Sequence, residues 1–79
     1  MNTEQQLIDE IKKWTEKIAE ERKAVSAKDE KGKDFLKNID AYISDSKHFF
    51  DKNDLVRSFE AIIWAWSWLE IGRNEGIIN

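Results

Sequence analysis

The sequence predicts an all-α protein, a three-helix bundle in which the second and third helices form an antiparallel hairpin beside a long amphipathic first helix. Three observations carry that prediction. Apolar residues recur at three- and four-residue spacing along most of the chain, and the pattern breaks only at SAKDEKGK (26–33) and DKND (51–54). The 79 residues contain no proline to stop a helix internally. A stretch that first looks like a strand keeps helical time when placed on a wheel.

The first helix is expected over about 3–25. Leu7, Ile11, Trp14, Ile18 and Val25 fall on one narrow stripe, suited to a single partner helix or to a seam between two. Thr3 with Gln6 three residues on reads as a capping box. The opposite face, with Lys12, Lys13, Glu16, Lys17, Glu20 and Lys23, reads as solvated surface. SAKDEKGK carries a glycine and no large apolar residue, so it is read as the first connection.

The second helix is expected over about 34–51, with Phe35, Leu36, Ile39, Tyr42, Ile43, Phe49 and Phe50 in one arc and Ser46 in its middle. A small residue there lets a neighbouring helix approach, and its hydroxyl can bond back to a backbone carbonyl. DKND is a short turn in which Asn53 or Asp54 caps the third helix, and so short a link makes the two helices antiparallel neighbours. The third helix is expected over about 54–75. Gly76 is then placed to take the left-handed position after its end, turning Ile77 back towards Ile71.

Within the third helix, AIIWAWSWLEIG sets Trp64, Trp66 and Trp68 at every second position. A strand here would lie among helices with no second strand to pair with. At about 100° per residue, Leu55, Phe59, Ile62, Ile63, Trp66 and Leu69 share one face, read as the core. Trp64 and Trp68 project from nearly the opposite side with Ala61 and Ile71, so the helix shows two apolar faces. Either the first and second helices cover one face each, or one face stays at the surface and binds something. Fully burying a Trp removes roughly 200 Å² from water, an upper bound near 5 kcal/mol, so two such rings are not expected to stand bare. Ala61, Trp64, Trp68 and Ile71 are therefore the candidate interaction surface, closed first of all by a homodimer and otherwise by another protein partner.

The absence of cysteine excludes disulfides, thiolate metal sites and cysteine nucleophiles. No stretch approaches the ~18 apolar residues of a membrane span, and MNTEQQLIDEIKK shows no apolar leader core, so a soluble cytoplasmic protein without a membrane partner is expected. Thirteen basic residues are interleaved with sixteen acidic ones, which argues against a dedicated electrostatic nucleic-acid binder. His48, the one histidine, is flanked by Asp45 and Asp51, but no second histidine or cysteine exists to complete a metal shell. No nucleophile or phosphate loop is identifiable, and Gly32, Gly72 and Gly76 are spaced as loop and cap residues. Glu70 falls near the centre of the core arc, where pairing with Arg73 or with the first helix is expected.

The run DLVRSFEAIIWAWSWLEIG, preceded by AYISDSKHFF, resembles a small archaeal family known only as a domain of unknown function, number 357. The matching residues are Asp54, Val56, Arg57, Phe59, Glu60, Ala61, Ala65, Trp66, Trp68, Leu69, Glu70 and Gly72, while Ser58, Ser67 and Ile71 depart towards other sizes. The resemblance implies a compact helical protein and brings no activity or catalytic residues. The same hairpin is similar to a single tetratricopeptide unit, with Tyr42, Ser46, Phe49, Ser58, Ile62 and Ala65 at its packing positions, although arrays of that kind need about three repeats.

The expected function is thus that of an interaction module, self-associating or docking a partner through apolar faces of the third and first helices. No cofactor and no catalytic residue are expected. The alternative is a small enzyme or nucleotide- or RNA-binding protein with a polar site around Arg57, Glu60 and Glu70.

Overall fold

In a computed structural model, residues 2–79 form three helices: α1 (Thr3–Lys23), α2 (Glu30–Asp51) and α3 (Leu55–Asn74). The described residues contain no strand. The body measures 44 × 20 × 17 Å. α2 and α3 pack antiparallel, with Ser46 on Ser58 and Phe35 on Trp68, and this is the most extensive helix pairing. α1 lies parallel to α3: Trp14 meets Trp66, and Glu21 meets Arg73, both at a separation of 52 residues.

Local chemistry sets the helix ends. α1 is capped by Asn2 rather than Thr3, its side chain accepting from the Gln5 amide at 2.7 Å. α1 stops at Lys23, two residues short of expectation, yet Val25 remains buried in the connection. α2 begins at Glu30, four residues earlier than its apolar pattern suggests, because Asp29 caps it by accepting from the Gly32 amide at 2.9 Å. Gly32 therefore sits inside the first turn of α2, not in a loop. A Cβ there would lie 2.6 Å from the Ile77 carbonyl oxygen and 2.9 Å from the Ala27 Cβ, so glycine admits the C-terminal tail.

The turn between α2 and α3 uses both of its expected residues, each for a separate task. Asn53 takes φ 62°, with its amide on the Phe50 carbonyl and the Asp54 amide on the Phe49 carbonyl, the paired bonds of a Schellman end. Asp54 then caps α3 by accepting from the Arg57 amide. Gly76, at φ 71°, repeats the motif at the end of α3, where the Ile77 amide reaches the Gly72 carbonyl at 2.8 Å. The tail so turned buries Ile78 against Gly72, whereas Ile71 stays half exposed. Reciprocal backbone bonds between Ser26 and Asn79 tie that tail to the α1–α2 connection.

The core gathers Ile18, Val25, Ile39, Ile62, Ala65, Leu69 and Ile78, with Trp14, Phe35, Tyr42, Trp66 and Trp68 packed around it. α2 and α3 approach closely at Ser46 and Ser58, both buried. Each hydroxyl donates to the other residue's carbonyl at 2.8 Å. Ser46 thus bonds across the seam, not back along its own helix. Both hydroxyl protons are spent on those carbonyls, so the 3.1 Å separation of the two oxygens is packing, not a further bond.

Candidate interaction surface

Helix α3 presents three sides. The buried side carries Leu55, Ser58, Ala61, Ile62, Ala65, Leu69 and Gly72. Ser58, Ala61, Ala65 and Gly72 occupy one half of that arc and Leu55, Ile62 and Leu69 the other, which rotates the true core arc away from the one the bulky residues suggest. Ile63, expected in the core, is 40% exposed as a result. Glu70 is also exposed and pairs with neither Arg73 nor α1; Arg73 reaches Glu21 instead.

The four candidate surface residues separate. Ala61 is buried against α2, and Trp68 is half-buried with its ring edge-on to Phe35 at 4.7 Å. Trp64, 55% exposed, lies nearly parallel to the Tyr42 ring at 6.2 Å. Ile71 is exposed one turn beyond Trp68. Trp66 points to α1, edge-on to Trp14 at 5.7 Å, and its indole N–H donates to the Trp14 carbonyl at 3.1 Å. The three tryptophans thus have three environments: Trp66 on α1, Trp68 packed on α2, and Trp64 mostly exposed at the edge of α2 beside Tyr42.

What remains open on α3 is a stripe of Val56, Ile63, Trp64 and Ile71, the exposed large hydrophobic residues among those described. On a helical wheel they span about 100° on the side away from the bundle. Val56 and Ile63 were not on the expected surface, and the signal that finds them is the small-residue spacing of Ser58, Ala61, Ala65 and Gly72 on the opposite side.

Two hollows border this stripe, with the Trp64 ring as their common wall. One, of about 260 Å³, is lined by Tyr42, Asp45, Phe49, Arg57, Glu60 and Trp64, over buried Ala61. The other, of about 320 Å³, is lined by Phe59, Glu60, Ile63, Trp64 and Ser67. Arg57 leans towards Asp54 at 3.5 Å, with its guanidinium 6.0 Å from the centre of the Phe49 ring. The first hollow joins Arg57 and Glu60 but not Glu70, which lies ten residues beyond Glu60 and so about 15 Å further along the helix axis.

A larger groove of about 820 Å³ runs between α1 and α2, floored by Ile11, Ile43 and Phe50 and rimmed by Lys12, Glu16 and Lys47. α1 and α2 are joined by Arg22, whose Nε and Nη2 donate to the two Asp40 oxygens at 2.6 and 3.0 Å. That hydrogen bonding raises the Arg22 pKa above its ordinary value. At the outer edge of α1, Glu10 accepts from the Trp14 indole at 2.8 Å and its carboxyl pKa is lowered, first by that bond and then by Lys13. His48 is exposed, edge-on to Phe49, and the described residues contain no group of three or more His, Cys, Asp or Glu placed to hold a metal ion. No helix among them is long and apolar enough to cross a membrane.

The fold and its open face define a small all-helical protein: an antiparallel hairpin with a further helix laid parallel to its second arm. The chain belongs to the family described as protein of unknown function DUF357, whose sequence model matches residues 6–78. It is similar to protein AF1782 from Archaeoglobus fulgidus, also assigned to DUF357. The crystal structure of that protein aligns at 45% identity and a TM-score of 0.90, over 99% of this chain and 97% of that one. No curated protein matches the chain.

Proposed function

We propose that the protein is an interaction module that docks a protein partner on the face of α3 outside the bundle. The observation that supports this reading is the stripe of Val56, Ile63, Trp64 and Ile71, which neither α1 nor α2 covers. An exposed tryptophan between two hollows is the kind of anchor on which binding energy concentrates. Four residues are few against the roughly 800 Å² per partner of a standard stable interface, so the stripe suits a short partner segment better than an obligate dimer. The apolar stripe of α1 adds to the reading only through the groove it shares with α2, since Ile11 and Ile18 are buried.

The test compares the wild-type chain with Trp64→Ala/Ile71→Ala, both verified as folded by circular dichroism, in light scattering alone and in capture from lysate. A partner held by the wild type and lost by the double variant supports the reading. A doubled mass that reverts to a monomer in the variant makes a second copy the occupant of the same face. Equal retention of every partner by both chains contradicts it.

A further inference from the structure

We infer that the hollow formed by Tyr42, Asp45, Phe49, Glu60 and Trp64 receives a lysine or arginine side chain of the docked partner. This rests on the docking reading and adds what the partner segment must carry. Three aromatic rings line an opening of about 260 Å³, and the face of an aromatic ring attracts a cation through its quadrupole.

Two carboxylates, Asp45 from α2 and Glu60 from α3, line the same opening, and neither has an ion-pair partner among the described residues. The one basic residue of the hollow, Arg57, sits at its Phe49 side, 6.0 Å from that ring's centre, and is paired with Asp54 at 3.5 Å. Arg57 thus takes the Phe49 side of the hollow and leaves Asp45, Glu60 and the Tyr42/Trp64 pair without a paired cation. The chain as a whole carries a net charge of −3, which favours approach of a basic segment. On the other side of Trp64, the hollow of Phe59, Ile63 and Ser67 is apolar in character and fits an aliphatic side chain next to that basic residue.

Butylammonium, equivalent to the lysine side chain, and 1-butanol, its uncharged counterpart of equal size, test the charge requirement separately from the partner. Each is titrated into the isotope-labelled full chain while the assigned Trp64 indole N–H and Tyr42 ring signals are followed by NMR. The expected result is a saturable shift with butylammonium and binding about tenfold weaker for 1-butanol, the sum of one exposed ring–cation contact and two exposed charge pairs. In Asp45→Asn/Glu60→Gln, butylammonium binding weakens by a similar factor with the helical circular dichroism unchanged. Equal affinity for the two probes, an unaffected double variant, or no saturation overturns the inference.

The two readings fail separately. If butylammonium does not bind while Trp64→Ala/Ile71→Ala still abolishes docking, the docking face stands without a basic anchor. If butylammonium binds and that variant docks its partner normally, the hollow is a cation site and the docking reading fails.

Discussion

Towards α2, helix α3 presents Ser58, Ala61, Ala65 and Gly72, and the two backbones come close enough for each serine hydroxyl to reach the other helix's carbonyl. Towards α1 it presents Trp66 and Arg73, which cross a wider gap to the Trp14 carbonyl and to Glu21. In the first seam, relative position is fixed by backbone shape, because small side chains leave no slack in register or distance. In the second it is fixed by the tips of long side chains, and α1 is left with an open groove of about 820 Å³ on its α2 side. The hairpin is therefore expected to be the more protected part, and α1, although it inserts Ile18 into the shared core, the element to open first.

The comparison is broken most severely by adding bulk to the close seam. Ala65 is fully buried, so Ala65→Leu is expected to lower stability by about 3 kcal/mol, the upper part of the overpacking range, or to prevent folding. Urea unfolding measures it. Trp66→Ala acts on the wide seam, and because the ring is only half-buried its loss is expected to be about 2 kcal/mol, below the usual cost of a core Trp→Ala. Hydrogen exchange sharpens the distinction: amides of α1 lose protection in Trp66→Ala while those of α2 and α3 keep theirs.

Ser46→Ala tests whether the serine pair or the close backbones hold the first seam. The Ser58 carbonyl loses a second donor but lies within α3, where the helix ladder also serves it, so about 1 kcal/mol is expected. A loss of several kcal/mol would make the hydroxyls the main determinant.

The smallest effect is electrostatic, at the outer edge of α1. Glu10 has a lowered carboxyl pKa because the Trp14 indole and then Lys13 donate to it, so its charged form is favoured by folding. That contribution is present above the ordinary glutamate pKa and is lost as pH falls through the lowered folded value. Glu10→Gln should therefore unfold slightly earlier than wild type at pH 7, with the difference vanishing in acid, as thermal melts across pH will show.

Much of the hairpin was legible in the residues. Asn53, Asp54 and Gly76 act at the helix ends through conformational and capping preferences that need no tertiary context. The orientation of α3 was not legible in the same way. A wheel weighted by hydrophobicity follows Phe59, Ile63 and Trp66, whereas burial follows Ser58, Ala61, Ala65 and Gly72, which allow α2 to approach. That rotation explains at once why Ile63 and Glu70 face solvent.

Gly32 misled for a related reason. It reads as a helix breaker, and only the returning tail, with the Ile77 carbonyl above it, shows that close contact is its purpose. Trp64 and Trp68 lie one turn apart on the wheel, and sequence treats them alike. They part because Phe35 meets one ring edge-on while Tyr42 leaves more than half of the other in water. Asp45 and Phe49 joined the hollow only once the hairpin brought α2 beside Trp64.

That division of the two tryptophans is the central structural claim, and urea unfolding of Trp64→Ala beside Trp68→Ala tests it most directly. Trp68 packs against the core and Phe35 but is half-buried like Trp66, so its loss is expected to cost about 2 kcal/mol. Trp64→Ala is expected to cost about 1 kcal/mol or less, the worth of its stacking on Tyr42. Equal losses of about 2 kcal/mol from both variants would show that Trp64 packs as Trp68 does, and the open face of α3 would no longer be available to a partner.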